Sequence, residues 1–193
     1  MAHTRAEGVG AARSRPWCDV SRVPVREALK VLEGEGHVEY SAHRGYVVAE
    51  LSVEDLVEVY RLRELLEAEA IRVAVPKLTP TDLEAIELAA ADVTAAGLRA
   101  DLADVTTANR AFHFLLFDAA GLPRLSRTLR QLWDATDVYR SVYFAAPANR
   151  SRVNDEHDEL IAALRLGDVR AAIAAQASHR AHSVEAVSNA LTS

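Results

Sequence analysis

Ser21-Arg22-Val23-Pro24-Val25-Arg26-Glu27-Ala28-Leu29-Lys30-Val31-Leu32-Glu33-Gly34 is the stretch whose reading decides the fold of the first fifty residues. Ser21 suits the position just before a helix, and Pro24 sits early enough that its missing N–H does no harm. Val25, Ala28, Leu29 and Leu32 then recur at helical spacing, and Gly34 and Gly36 end the pattern. Two short β-rich runs follow, residues 37–40 and 46–49, on either side of Ser41-Ala42-His43-Arg44-Gly45. A five-residue turn holding a glycine between such runs predicts a hairpin. Upstream, residues 1–16 mix Gly, Ala, Ser, Arg and Pro without period and read as loop or disordered tail.

A helix running straight into a hairpin suits a winged helix, with the helix in the major groove and the hairpin tip against neighbouring backbone or minor groove. The charge distribution agrees. Residues 1–50 hold 7 basic and 7 acidic side chains, so all of the chain's net charge of -6 lies in residues 51–193, with 15 against 21. Arg13, Arg15, Arg22, Arg26 and Lys30 make the reading stretch locally basic. A polyanion-facing head on an acidic body is the expectation.

Beyond Leu51 the texture becomes helical throughout, dividing the chain into domains at 1–50 and 51–193. Ser52 with Asp55 resembles a capping box. The first body helix is expected to stop before Pro76, and the second to run from Thr79-Pro80 to about Gly97. The third spans about 101–120 and closes at Gly121, the fourth runs from Pro123 to about Ala145, the fifth from Pro147 to Gly167, and the sixth from Asp168 to about Ala190. The fold class is therefore mainly α: a partial winged helix-turn-helix head followed by a six-helix antiparallel bundle. Half of the 193 residues are hydrophobic and only 6% aromatic, which suits a buried helical core. The apolar runs are too short and too often charged to span a membrane, and residues 1–20 lack the apolar centre of a secretion signal. Cys18 is the lone cysteine, so no internal disulfide framework exists and a cytoplasmic location fits.

The string from Ser21 to Leu29, with Leu32-Glu33, Glu35-Gly36 and His43-Arg44-Gly45, closely resembles the recognition helix and wing of GntR-family transcription regulators. The body resembles the all-helical FCD effector and dimerisation domain of the FadR subgroup. Its marks are residues 63–67, 109–113, Glu156-His157, Gly167-Asp168 and His179. The resemblance covers about residues 20–185. It implies DNA-facing roles for Ser21, Arg22, Pro24, Arg26, His43 and Gly45. Arg22 and Arg26 lie one turn apart, and an arginine can fork two donors onto guanine or clamp a phosphate. Members of this family carry a first helix, a short strand and a bracing helix before this string. Only twenty residues precede Ser21 here, so a shortened head is expected.

Asn109 and His113 share one face of the third body helix, while His157 and His179 stand on the fifth and sixth. Three histidines on three helices plus an oxygen donor can converge as ligands of a divalent transition metal, with zinc or nickel suited to such a donor set. The resemblance implies a small carboxylate effector beside that metal, with Arg63 facing it and Tyr139 and Arg140 as further lining. Arg63 also has a plainer reading as the helical partner of Glu67. His182, one turn beyond His179, reads as surface or pocket edge. His3 and His37 read as ordinary residues, Phe112 and Trp133 as core, and Trp17 receives no role. Glu156 is read as pointing elsewhere on its helix.

Together these expectations describe a homodimeric regulator, not an enzyme, that binds a palindromic double-stranded operator and answers to a metabolite. Two alternatives stand beside it. One is an effector sensor that does not bind DNA on its own, which the shortened head favours. The other is a metalloenzyme, for which neither a general-base motif nor a nucleophile elbow is present.

Overall fold

A computed structural model describes residues 21–34, 38–48 and 52–192, the side chains of Arg22 and Val138 excepted. His3, Trp17, Cys18, Gly36 and His37, and the expected tail at 1–16, lie outside these residues. The chain falls into two compact units, Met1–Leu51 and Ser52–Ser193.

In the first unit, Arg22–Gly34 forms helix α1 and Val38–Ser41 (β1) pairs antiparallel with Gly45–Val48 (β2). The register sets Val38 opposite Val48 and Ser41 opposite Gly45, so the turn is shorter than the sequence spacing predicts. Two left-handed residues make that tightness possible: His43 at φ 69° and Gly45 at φ 81°. The Arg44 amide donates to the Ser41 carbonyl at 3.1 Å. Tyr40 and Tyr46 pack edge to face across the hairpin, and the Tyr46 hydroxyl reaches Glu33. Of the apolar period expected on α1, only Leu29 is buried; Val25, Ala28 and Leu32 are exposed. Leu29 and Val38 are the buried hydrophobic residues of this unit among those described.

The second unit is a helical bundle. It comprises α2 (Val53–Ala74), α3 (Pro80–Arg99), α4 (Leu102–Asp118), α5 (Pro123–Asp134), α6 (Asp137–Ala145), α7 (Pro147–Arg165) and α8 (Val169–Thr192). Local chemistry explains most of the boundaries. Ser52 accepts the Asp55 amide at the start of α2, and Thr79 with Asp82 completes a capping box before α3. Asp101 takes two amides of α4, and proline opens α3, α5 and α7. Gly121 and Gly167 turn the chain at φ 70° and 64°. Gly97 does not end α3; the helix continues to Arg99 and reverses at Ala100, itself left-handed at φ 55°.

One expected helix is two. The span from Pro123 to Ala145 breaks at Ala135-Thr136, giving seven body helices where six are expected. Neither glycine nor proline stands there. The Thr136 hydroxyl donates to the Trp133 carbonyl at 3.0 Å, and the Arg140 guanidinium donates to that same carbonyl at 2.6 Å. With the Thr136 amide, which also donates to that carbonyl at 3.1 Å, these side chains occupy the acceptor that a continuing helix would use. The phase of α6 is thereby reset relative to α5.

The core runs between α2, α4, α7 and α8, around Leu56, Ile71, Phe112, Phe117, Trp133, Phe144 and Leu160. Among the described residues no helix is long and apolar enough to cross a membrane.

Candidate metal and effector site

Three imidazoles meet at the centre of the bundle. His113 on α4, His157 on α7 and His179 on α8 each offer a ring nitrogen, and these atoms lie within 4.8 Å of one another. All three residues are buried. Ring centroids are 5.1 Å apart for His113 and His157, 4.9 Å for His113 and His179, and 5.4 Å for His157 and His179. Phe112 stacks on His157 at 4.0 Å and Trp133 lies 5.1 Å from the His113 ring, so these aromatics wall the cluster.

Neither ring nitrogen of His113 or His157 has a hydrogen-bond partner within the protein, and the buried Asn109 Oδ1 has none either. Buried polar atoms are ordinarily paired, so this group of orphans fits a cation. Burial, before any charge effect, holds the His113 and His157 pKa values well below the ordinary imidazole range. Both are therefore neutral at pH 7, the form that ligates. Uptake of protons by the unfolded chain then makes acid destabilising. Stability conferred by these two histidines is complete above about pH 6.5 and is lost as pH falls toward their native values. Urea unfolding of metal-free protein is expected to show less stability at pH 5.5 than at pH 7.5 from this source. A flat profile between those values would contradict the buried neutral pair.

Glu156 does not point elsewhere. Its Oε2 lies 2.6 Å from His179 Nδ1 and its Oε1 lies 2.6 Å from His182 Nδ1. Burial would raise the Glu156 pKa, but the bond from His179 lowers it, with help from His182. An ionised carboxylate on Nδ1 holds the proton there and turns Nε2 of His179 toward the cluster, a common support for a metal-binding histidine. His182, half-exposed, thus reaches the centre through Glu156. The signal was available: positions 179 and 182 share a helix face, so one carboxylate can bridge them.

Beside the cluster lies a small closed cavity. Arg63, Asn109, Arg140 and His179 face it, together with Tyr60, Trp133, Tyr143 and Arg180. Only about 10 Å³ is open to a water-sized sphere, the room of a single water. The Arg63 guanidinium lies 4.1 Å from the Trp133 ring centre and 4.5 Å from that of Tyr60, and Arg140 lies 4.4 Å from Trp133. Arg63 also makes its helical pair with Glu67, Nε to Oε1 at 2.9 Å. The two readings of Arg63 therefore coexist. The pair is buried, so its weight is not that of an exposed helix ion pair.

Glu67, missed as a site residue, is the electrostatic centre of the arrangement. Its carboxylate also accepts from Trp133 Nε1 at 2.9 Å, Gln176 Nε2 at 2.9 Å and Arg180 at 2.7 Å. Burial would raise its pKa, yet Arg63 and Arg180 with the Gln176 bond bring it down to about 2. Arg140 donates to Thr136 and Asp137, while its Nε is buried without a partner. Burial, then the charge of Arg63, pulls Arg140 down to about 9, still cationic at pH 7.

Tyr139 is not at the cavity. Its hydroxyl lies 3.1 Å from both the Ser52 carbonyl and Asp55 Oδ2, which share its one proton, and accepts the Ser52 amide at 3.2 Å, fastening the start of α2. Tyr143, one turn on, takes the cavity position. In the first unit, Ser21, Pro24, Arg26 and His43 are exposed and Gly45 is half-buried at the hairpin turn; Arg22 is the first residue of α1.

The sequence profile of the FCD domain matches residues 58–182, nearly two thirds of the chain. This chain belongs to the FCD-domain group of GntR-type transcription regulators. The HTH-type transcriptional regulator McbR of Escherichia coli is 28% identical over 151 residues, covering 77% of this chain and 68% of McbR. The solved structure of E. coli McbR/YncC superposes with a TM-score of 0.79 at 25% identity, over 88% of this chain and 86% of that one. A GntR-family transcriptional regulator from Pseudomonas syringae pv. tomato is 32% identical, with a TM-score of 0.60 over 90% and 72% of the two chains. The FCD match spans the histidine cluster and the guanidinium cavity, and the McbR/YncC superposition supports the mainly helical fold with its small antiparallel hairpin.

Proposed function

We propose that this protein is a cytoplasmic, homodimeric DNA-binding regulator whose grip on a palindromic operator is set by a small carboxylate bound in the helical unit. The observation that carries the reading is the adjacency of two complementary sites. A cluster of cation ligands (Asn109, His113 and His157 with orphaned atoms, and His179 held by Glu156) borders, through Asn109 and His179, a cavity lined by Arg63, Arg140 and Arg180. Those four residues would hold a divalent transition ion, zinc or nickel by their nitrogen-rich donors, supplying a fixed charge with positions open to a carboxylate. Arg140 Nε has a donor to spare, and Arg63 is aligned by Trp133 and Glu67, so the guanidiniums orient the anion. Because Arg140 and Tyr143 ride on α6, an anion seated against them displaces α6 relative to α4, α7 and α8. Regulation requires that the two arrangements differ in affinity for operator, and the coupling is then reciprocal.

On the DNA side Ser21, Arg22, Pro24 and Arg26 with the His43–Gly45 turn are the proposed contacts, by their place on α1 and the hairpin tip. Fluorescence anisotropy with DNA from the protein's own upstream region, against a scrambled duplex and at several salt concentrations, tests the reading. Arg26→Ala is expected to weaken specific binding by about 1–3 kcal/mol, roughly fivefold to 150-fold. Adding zinc and a panel of carboxylates should shift the wild-type curve. One observation favours a second reading, a sensor without DNA binding of its own: among the described residues the first unit buries only Leu29 and Val38 as hydrophobic core. Binding no tighter than to the scrambled duplex would select it. A metalloenzyme is disfavoured because the nearest carboxylate, Glu156, is engaged by two histidines and unavailable as a general base.

A further inference from the structure

The histidine cluster stands between two cavities of opposite charge. On the inner side is the small cavity already described, bordered by Asn109 and His179 and lined by three guanidiniums, two of them paired with Glu67 behind them. On the outer side a cleft of about 320 Å³ runs between α3 and α7, and its lining includes His157. The α3 wall there is made by Ala90, Ala91 and Thr94, whose hydroxyl donates to Asn154 of α7 at 3.1 Å, while Glu87, Asp158 and Arg165 supply the charge. Arg165 is paired with Glu87 at 2.8 Å, so Asp158 leaves the cleft net negative. His157 is 2% exposed, both its ring nitrogens lack a partner, and of the three histidines it is the one that borders this cleft.

Resting on the metal reading above, we propose that the α3–α7 cleft is the route by which the cation enters and leaves the cluster, with His157 as its first ligand. Coulomb's law separates the two approaches. A dication coming through the inner cavity must pass Arg63, Arg140 and Arg180, whose three charges Glu67 and Asp137 offset only in part, so a net positive charge repels it in a poorly screened interior. Through the cleft it is drawn by Asp158, past Ala90 and Ala91, whose side chains are short. The inner cavity is too small for a hydrated ion, whereas the cleft is not. Cation and anionic effector thus reach the same centre through separate cavities, and neither has to leave for the other to exchange.

Stopped-flow uptake of Co²⁺ by metal-free protein, followed by its visible absorption, and release to excess chelator test this route. Ala91 and Asp158 are exposed, so Ala91→Phe and Asp158→Lys should fold, which circular dichroism checks. Ala91→Phe is expected to slow uptake and release by a common factor, leaving equilibrium affinity and spectrum unchanged. Asp158→Lys should slow uptake roughly tenfold at low salt, with the difference vanishing at high salt. Unchanged rates in both variants, with a wild-type spectrum, would overturn the route while leaving the metal site standing. Weaker affinity from faster release alone would also overturn it, because the cleft residues would then act on ligation instead of passage. Absence of any cobalt spectrum in the wild-type protein would remove the metal reading itself, and the route with it.

Discussion

Replacing Glu67 by alanine is expected to lower the thermal midpoint by roughly 6–20 °C, from a loss of about 3–5 kcal/mol. Two guanidiniums, an indole N–H and a carboxamide converge on this one carboxylate, which is wholly buried. Its removal leaves Arg63 and Arg180 buried beside Arg140 with no nearby counter-charge of equal depth. Glu67→Gln keeps the volume and one acceptor but not the charge, and should fall between wild type and alanine. Acid titration gives a second signature. With the pKa lowered from 4.5 to about 2, stability from Glu67 is complete above pH 4.5 and is lost as pH falls toward 2, amounting to about 3 kcal/mol. The glutamine variant should lack that part of the loss. Differential scanning calorimetry between pH 2.5 and 7 measures both effects. An alanine variant melting within a degree or two of wild type would show that water, not Glu67, balances these arginines.

The second large effect concerns His113, the histidine most completely enclosed by the cluster. Zinc at a thousand times its dissociation constant should stabilise the wild-type protein by about 4 kcal/mol. That gain corresponds to a rise of roughly 8–16 °C in the midpoint. His113→Ala is expected to lose nearly all of it, because two imidazoles and a neutral amide remain. His182→Ala should retain most of it, since His182 reaches the cluster only by way of Glu156. Equal zinc shifts in wild type and His113→Ala would place any bound ion elsewhere.

Where the sequence was informative, the reason was local. Pro80, Pro123 and Pro147 fix helix starts through a rigid φ and a missing donor, and Gly121 and Gly167 fix reversals through their positive φ. The convergence of His113, His157 and His179 was legible because each sits on a helix whose phase those stops define. What escaped was non-local. No sequence signal marks the break at Thr136, since it depends on Arg63 from α2 and Arg140 from the next turn converging on one hydroxyl. The misplacement of Tyr139 follows from it: a continuous helix carries its phase through to residue 139, whereas the break rotates Tyr139 toward Ser52 and Tyr143 toward the cavity. Glu67 meets Gln176 and Arg180 across more than a hundred residues of chain, a pairing that periodicity cannot foresee. On α1, helical spacing foretold a buried stripe, yet the described neighbours cover only Leu29.

The smallness of the inner cavity changes what an effector titration would measure. On the proposed reading, a space that admits one water does not admit a carboxylate with a carbon skeleton, so the effector would bind a minor, expanded form. The apparent dissociation constant is then the intrinsic constant divided by the population of that form; a 1% population weakens apparent affinity about a hundredfold. Ligands of identical contact chemistry would rank by how much expansion they demand. Modest measured affinity at this site would therefore be compatible with tight intrinsic contacts, and would give the cell a sensor tuned to abundant metabolites over scarce ones.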